Sequence, residues 1–126
     1  MAKLDGKKIL IAEDDSLLAQ MLARKLGEEN AVVEHAPDGQ VALDMLTAKK
    51  YDILLLDLML PKVDGFGILT ALPTIEKSKG TPVIVLSNLG QKADVDKGMA
   101  MGAKKFLIKA ILSLDDIADA ILEVLK

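Results

Sequence analysis

The segment Ile53-Leu54-Leu55-Leu56-Asp57 reads as a strand that ends abruptly on a carboxylate. Its four apolar residues are continuous and do not alternate, which is the pattern of a strand covered on both faces, as in parallel sheets flanked by helices. The same pattern recurs at Ile9–Ala12, Val83–Leu86 and Phe106–Ile108. A fifth run, Ala31–Ala36, carries Glu34 and His35 and reads as a less buried edge strand. The intervening segments have helical spacing: Leu18, Met21, Leu22 and Leu26, then Val41, Ala42, Met45 and Leu46, and finally Leu114, Ile117, Ile121, Val124 and Leu125. Ser113 followed by Asp116 forms a capping box before the last helix. The third helix, Gly65–Leu72, is short and should end at Pro73, while a fourth near Ala93–Met101 should stop at Gly102 in a left-handed cap. Five strand–helix units joined by short loops require right-handed crossovers, hence a doubly wound α/β fold. The expected sheet is parallel and five-stranded, of order 2-1-3-4-5, with helices on both faces and residues 1–126 forming a single domain.

Composition narrows the chemistry. The 126 residues are 51% hydrophobic and 28% charged, too apolar for a disordered chain and too evenly charged for a membrane span. Sixteen basic against nineteen acidic residues give a net charge of −3, so no nucleic-acid binding by the chain itself is expected. The absence of cysteine removes disulfides, thiolate chemistry and cysteine zinc sites, and one histidine cannot build a histidine cage. Any metal must therefore be held by oxygen. With no tryptophan, one tyrosine and two phenylalanines, base-stacking platforms are missing as well. The polar start, Met1–Lys8, lacks a signal-peptide run, so a cytoplasmic protein without a membrane span is expected.

In such sheets ligands bind beyond the carboxyl ends of the strands, near the switch point between strands one and three. Glu13, Asp14 and Asp15 follow the first strand, and the third runs directly into Asp57. A dinucleotide or flavin site needs bare amide donors there, so a flavin-binding electron carrier is disfavoured. Close carboxylates repel by about 4 kcal/mol per pair at an effective dielectric near 20, and a divalent hard cation relieves that clash. Mg²⁺ takes oxygen ligands and commonly completes its shell with phosphate oxygens. Ser87 ends the fourth strand and Lys109 follows the fifth, supplying a hydroxyl and an ammonium at the same rim. Acids, cation, hydroxyl and lysine form equipment for phosphoryl transfer, with Asp57 as nucleophile. An acid phosphatase usually wants a second aspartate two residues beyond the nucleophile, where Met59 stands.

Four stretches carry a family resemblance: ILIAEDD (Ile9–Asp15), LLLDLMLPKVDG (Leu54–Gly65), VIVLSN (Val83–Asn88) and GAKKFLIK (Gly102–Lys109). Together, in this order and spacing, they resemble the receiver domain of bacterial two-component response regulators along the whole chain. The resemblance implies a flavodoxin-like fold and phosphorylation of Asp57 by a sensor histidine kinase or histidine phosphotransfer protein. It implies that Glu13 and Asp14 form the acidic pocket, with Mg²⁺ bound by the Asp14 and Asp57 carboxylates and the Met59 backbone carbonyl. Ser87 and Lys109 would contact the phosphoryl oxygens, and Phe106 would be the switch residue whose ring turns inward. The protein would then be a phosphoacceptor switch, assisting its own phosphorylation and slow dephosphorylation, and not a conventional enzyme.

Output would pass through the face of helix four, strand five and helix five to an unknown downstream protein, by a monomer or a phosphorylation-dependent dimer. A phosphorelay intermediate, a domain excised from a longer chain, and a degenerate receiver serving as an unphosphorylated interaction module are the alternatives. The family usually places proline after the lysine. Ala110 stands there, so a trans Lys109–Ala110 bond is expected. Asn88 should narrow the pocket mouth. Met59 and Leu89 cannot orient an attacking water and should shield the acyl phosphate, so self-dephosphorylation should be slow. Other polar residues have plainer readings: Asp15 as a helix cap or a peripheral water ligand, Asp38 as a helix cap, Asp64 as a turn residue, His35 as a polar strand residue, and Lys104 and Lys105 as solvated.

Overall fold

The computed structural model describes residues 3–88 and 90–126. Its strands are β1 (Lys8–Ala12), β2 (Val32–Ala36), β3 (Ile53–Leu56), β4 (Val83–Ser87) and β5 (Lys105–Ile108). All pair in parallel, in the order β2-β1-β3-β4-β5. The helices are α1 (Ser16–Gly27), α2 (Gly39–Ala48), α3 (Gly65–Ala71), α4 (Lys92–Ala100) and α5 (Leu114–Leu125).

The continuous apolar runs follow from the period-2 geometry of a strand. Ile9, Ile11, Ile53, Leu55, Ile84 and Leu86 enter a core closed by Leu22 and Leu26 of α1 and by Ile117 and Ile121 of α5. The alternate residues Leu10, Leu54, Leu56, Val83 and Val85 enter a second core with Leu46 of α2 and with Ile68 and Leu69 of α3. Apart from exposed Lys8 at the start of β1, each side chain in the central strands is thus buried whichever way it points, as the sequence pattern required.

Both edges are less covered. β2 is half-buried along most of its length, as expected. β5 forms the opposite edge, as the expected order required, but all four of its residues are only half-buried, less covered than its continuous apolar run implied. Within it Lys105 pairs with Glu123 of α5 at 3.1 Å instead of standing free in solvent, while Lys104 is exposed. α3 ends before Pro73, which opens a short 3₁₀ turn over Leu72–Thr74. Gly102, at φ +106°, closes α4, and the Ser113–Asp116 capping box opens α5. Asp15 and Asp38 cap α1 and α2. Asp64, read as a turn residue, also caps a helix, accepting from the Gly67 amide at the start of α3.

α4 buries only Gly98, so little hydrophobic area anchors it. Two contacts serve instead. A Cβ added at Gly98 would lie 3.1 Å from the Phe106 ring, which shows how closely that ring fits beneath the helix. Lys97 Nζ sits 4.1 Å from the centroid of the Phe66 ring on α3, a cation–π contact worth about 0.5–1 kcal/mol at an exposed position.

Candidate functional site

Strand register brings the predicted residues to one rim. β1 and β3 pair Ala12 with Leu56, so Glu13 and Asp57 leave adjacent strands side by side. β3 and β4 pair Leu56 with Val85, and β4 and β5 pair Ser87 with Ile108, which carries Ser87 and Lys109 to the same edge. Carboxylate oxygens of Glu13, Asp14 and Asp57 lie within 4.8 Å of one another. Lys109 Nζ is 2.5 Å from Glu13 Oε1 and 2.9 Å from Asp57 Oδ2. Among the described residues every peptide bond is trans, including Lys109–Ala110, and the lysine still reaches both acids.

The cluster is held at its backbone as well. Asp57 Oδ1 accepts from the Met59 amide at 3.1 Å, and Glu13 Oε2 accepts from the Asp15 amide at 3.1 Å. Asp57 is 5% exposed, and Glu13 and Ser87 are buried. Asp14 and Asn88 stand exposed at the mouth. Met59 is also at the mouth, its side chain projecting outward at 60% exposure. Leu89, its expected companion in shielding, lies outside the described residues. Gly65 fixes the floor: a Cβ there would come 2.6 Å from Leu58 Cα and 2.7 Å from the Asp57 carbonyl oxygen. Only glycine lets the start of α3 approach the loop after β3 so closely.

Burial raises the Glu13 carboxyl to about 7, against the pull of hydrogen bonds from Lys109 and the Asp15 amide, and the neighbouring Asp57 adds to the rise. Burial also works against the charge on Lys109, but hydrogen bonds to Glu13 and Asp57 outweigh it and hold the ammonium above its usual range. With the three carboxylates ionised, one ammonium leaves the cluster two negative charges in excess. That excess matches a divalent cation. Two oxygens on one octahedral Mg²⁺ lie about 3–4 Å apart, so the cluster needs only slight contraction, and exposed Asp14 is free to supply it. The donor set therefore fits a hard divalent ion.

The family described as response regulator receiver domain matches residues 9–122. The chain belongs to the response-regulator receiver family. This receiver is 38% identical over 102 residues to a probable transcriptional regulatory protein, SilR, of Salmonella typhimurium, covering 81% of this chain and 44% of that protein. It is 36% identical to the response regulator ArlR of Staphylococcus epidermidis, covering 80% of this chain and 45% of that protein. It thus spans less than half the length of these curated relatives. Among solved structures, a Francisella response regulator receiver domain superposes with a TM-score of 0.85 at 31% identity, covering 95% of this chain and 96% of that one. The chemotaxis protein CheY4 of Vibrio cholerae superposes with a TM-score of 0.87 at 25% identity, covering 94% of this chain and 98% of that one. Receiver domains take phosphoryl groups from histidine kinases, and no described helix of this one is long and apolar enough to cross a membrane.

The sequence singled out Glu13, Asp14, Asp57, Ser87 and Lys109, and the fold gathers them. It read His35 only as a polar strand residue. His35 Nε2 lies 2.6 Å from the Glu13 carbonyl oxygen, and the signal for this contact was the pairing of strands one and two implied by the sheet order.

Proposed function

We propose that Asp57 accepts a phosphoryl group from the phosphohistidine of a sensor histidine kinase or histidine phosphotransfer protein in a Mg²⁺-dependent reaction. One observation carries this reading: the Asp57 carboxylate is gripped by Lys109 and the Met59 amide inside a cluster two charges short of neutrality. An Asp57 oxygen attacks phosphorus, the P–N bond to the donor imidazole breaks, that imidazole leaves with a proton, and a mixed anhydride forms. Asp14 and Asp57, with the Met59 carbonyl and with Glu13 completing the acidic pocket, would hold Mg²⁺, which when bound neutralises phosphoryl charge. Lys109 transfers its hydrogen bonds from the carboxylates to a phosphoryl oxygen, and the Ser87 hydroxyl bonds another. Both contacts exist only in the phosphorylated state, so they bias a two-state element. That element is the face formed by α4, β5 and α5, with Phe106 as the switch. The unit formed by residues 1–126 then acts on a downstream protein, on the cytoplasmic side where such donors arise.

Incubation with phosphoramidate tests the reading. The native chain should gain the mass of one phosphoryl group with Mg²⁺ and none with excess EDTA; uptake in EDTA would overturn the Mg²⁺ dependence, and none in either would leave only an unphosphorylated interaction module. The Glu13 carboxyl adds a pH signature. Its folded-state value of about 7 lies above the ordinary 4.5, so the folded metal-free protein binds this proton more tightly than the unfolded chain does. Stability without metal should therefore fall as pH rises from about 4.5 through about 7. Mg²⁺ affinity should rise over the upper part of that range, with proton release seen by calorimetry in buffers of different ionisation heat.

The mouth residues set the lifetime. Met59 offers no group to orient water, so Met59→Asn should speed loss of the phosphoryl group on the order of tenfold. The decay of the phosphorylated mass after donor removal measures it.

A further inference from the structure

The proposed chemistry uses the Glu13 carboxylate and leaves its backbone aside, yet the Glu13 carbonyl oxygen is also held. It accepts the 2.6 Å hydrogen bond from His35 Nε2; a carbonyl can only accept, so this nitrogen carries the hydrogen. His35 stands on β2 opposite Ile11, and the Glu13 amide donates to the Ala36 carbonyl at 3.0 Å. The sheet ladder thus takes the Glu13 N–H, the imidazole takes its C=O, and Lys109 and the Asp15 amide take its carboxylate. The next link in the chain is the Glu13–Asp14 peptide. Because that unit is planar, fixing its carbonyl fixes the direction in which Asp14 Cα departs. Asp14 needs such guidance. It is exposed, and among the described residues no hydrogen bond or ion pair holds its carboxylate.

We infer that His35 is a positioning residue for the divalent cation: by gripping the Glu13 carbonyl it sets the Glu13–Asp14 peptide plane and delivers the Asp14 carboxylate to the ion. The inference rests on the reading of the acidic cluster as a Mg²⁺ site. An imidazole suits the task because its donor lies far enough from the β2 backbone to reach past the end of the ladder, where a short hydroxyl could not. Partners of this kind around a metal typically change affinity by about 10- to 100-fold when removed.

Calorimetric titration of the full chain with MgCl₂ tests it. His35→Val, which suits the strand but has no donor, should weaken Mg²⁺ binding about tenfold. His35→Gln, with an amide donor of comparable reach, should recover most of that loss. A purely structural role would lower the melting temperature equally with and without Mg²⁺; the positioning role shrinks the increment that Mg²⁺ adds. Should His35→Val fail to fold, His35→Asn carries the comparison, since its shorter amide falls short of the carbonyl and should behave as the donorless variant. Native and donorless proteins agreeing within about twofold in affinity, with native binding intact, would overturn the inference and leave the Mg²⁺ site standing. Absence of Mg²⁺ binding by the native chain would overturn both.

Discussion

Asp57→Asn is expected to take up no phosphoryl group from phosphoramidate and Mg²⁺, under conditions in which the native chain gains one. An amide oxygen carries too little charge to displace the donor nitrogen, and at the end of β3 Asp57 has one oxygen on Lys109 and the other on the Met59 amide. The loss should not come from unfolding. Asparagine can still accept from the Met59 amide, and removing one of three crowded carboxylates relieves repulsion. Thermal melting of the metal-free variant should therefore match or exceed that of the native protein. Intact-mass spectrometry reads the first result and circular dichroism the second; a phosphoryl group retained by the variant would place the acceptor elsewhere.

Lys109→Met should be the most destabilising change at the site. It leaves the buried carboxylates of Glu13 and Asp57 without their shared counterion. Removing one partner of a buried ion pair typically costs about 3–5 kcal/mol. The cost should be largest above pH 7, where native Glu13 is ionised, and smaller in acid, where Glu13 takes up a proton. Mg²⁺ should return part of it by restoring positive charge. Urea denaturation at two pH values, with and without Mg²⁺, measures all of this. Phosphoryl uptake should fall by about a hundredfold, the usual effect of losing one donor aimed at developing charge.

The central sheet was legible because β1, β3 and β4 are covered on both faces, which forces unbroken apolar runs. That signature fails at the margins. Phe106, Leu107 and Ile108 are as continuously apolar as a central strand, although the expected order already set them at an edge where only one neighbour exists. Their apolar character answers instead to α4 and α5, which pack against them. The acids and Lys109 were legible as residues that end strands, since strand ends in this fold converge on one rim. Contacts between distant segments were not. Nothing local to His35 announces the Glu13 carbonyl, nothing near Lys105 announces Glu123, and Phe66 and Lys97 meet only because α3 and α4 are neighbours. Asp64 was misjudged for a different reason: caps and turns favour the same residues, and only the amide of Gly67 distinguishes them.

The missing side chain at Gly65 has a mechanical corollary. With α3 seated directly on the Leu58 backbone, there is no compressible layer between helix and loop, so a displacement of one is handed to the other nearly undiminished. The Phe66 ring is the next residue along, and Lys97 rests on it. A tug on α4 from outside can thus be felt at Asp57, just as the chemistry proposed at Asp57 can be felt outside.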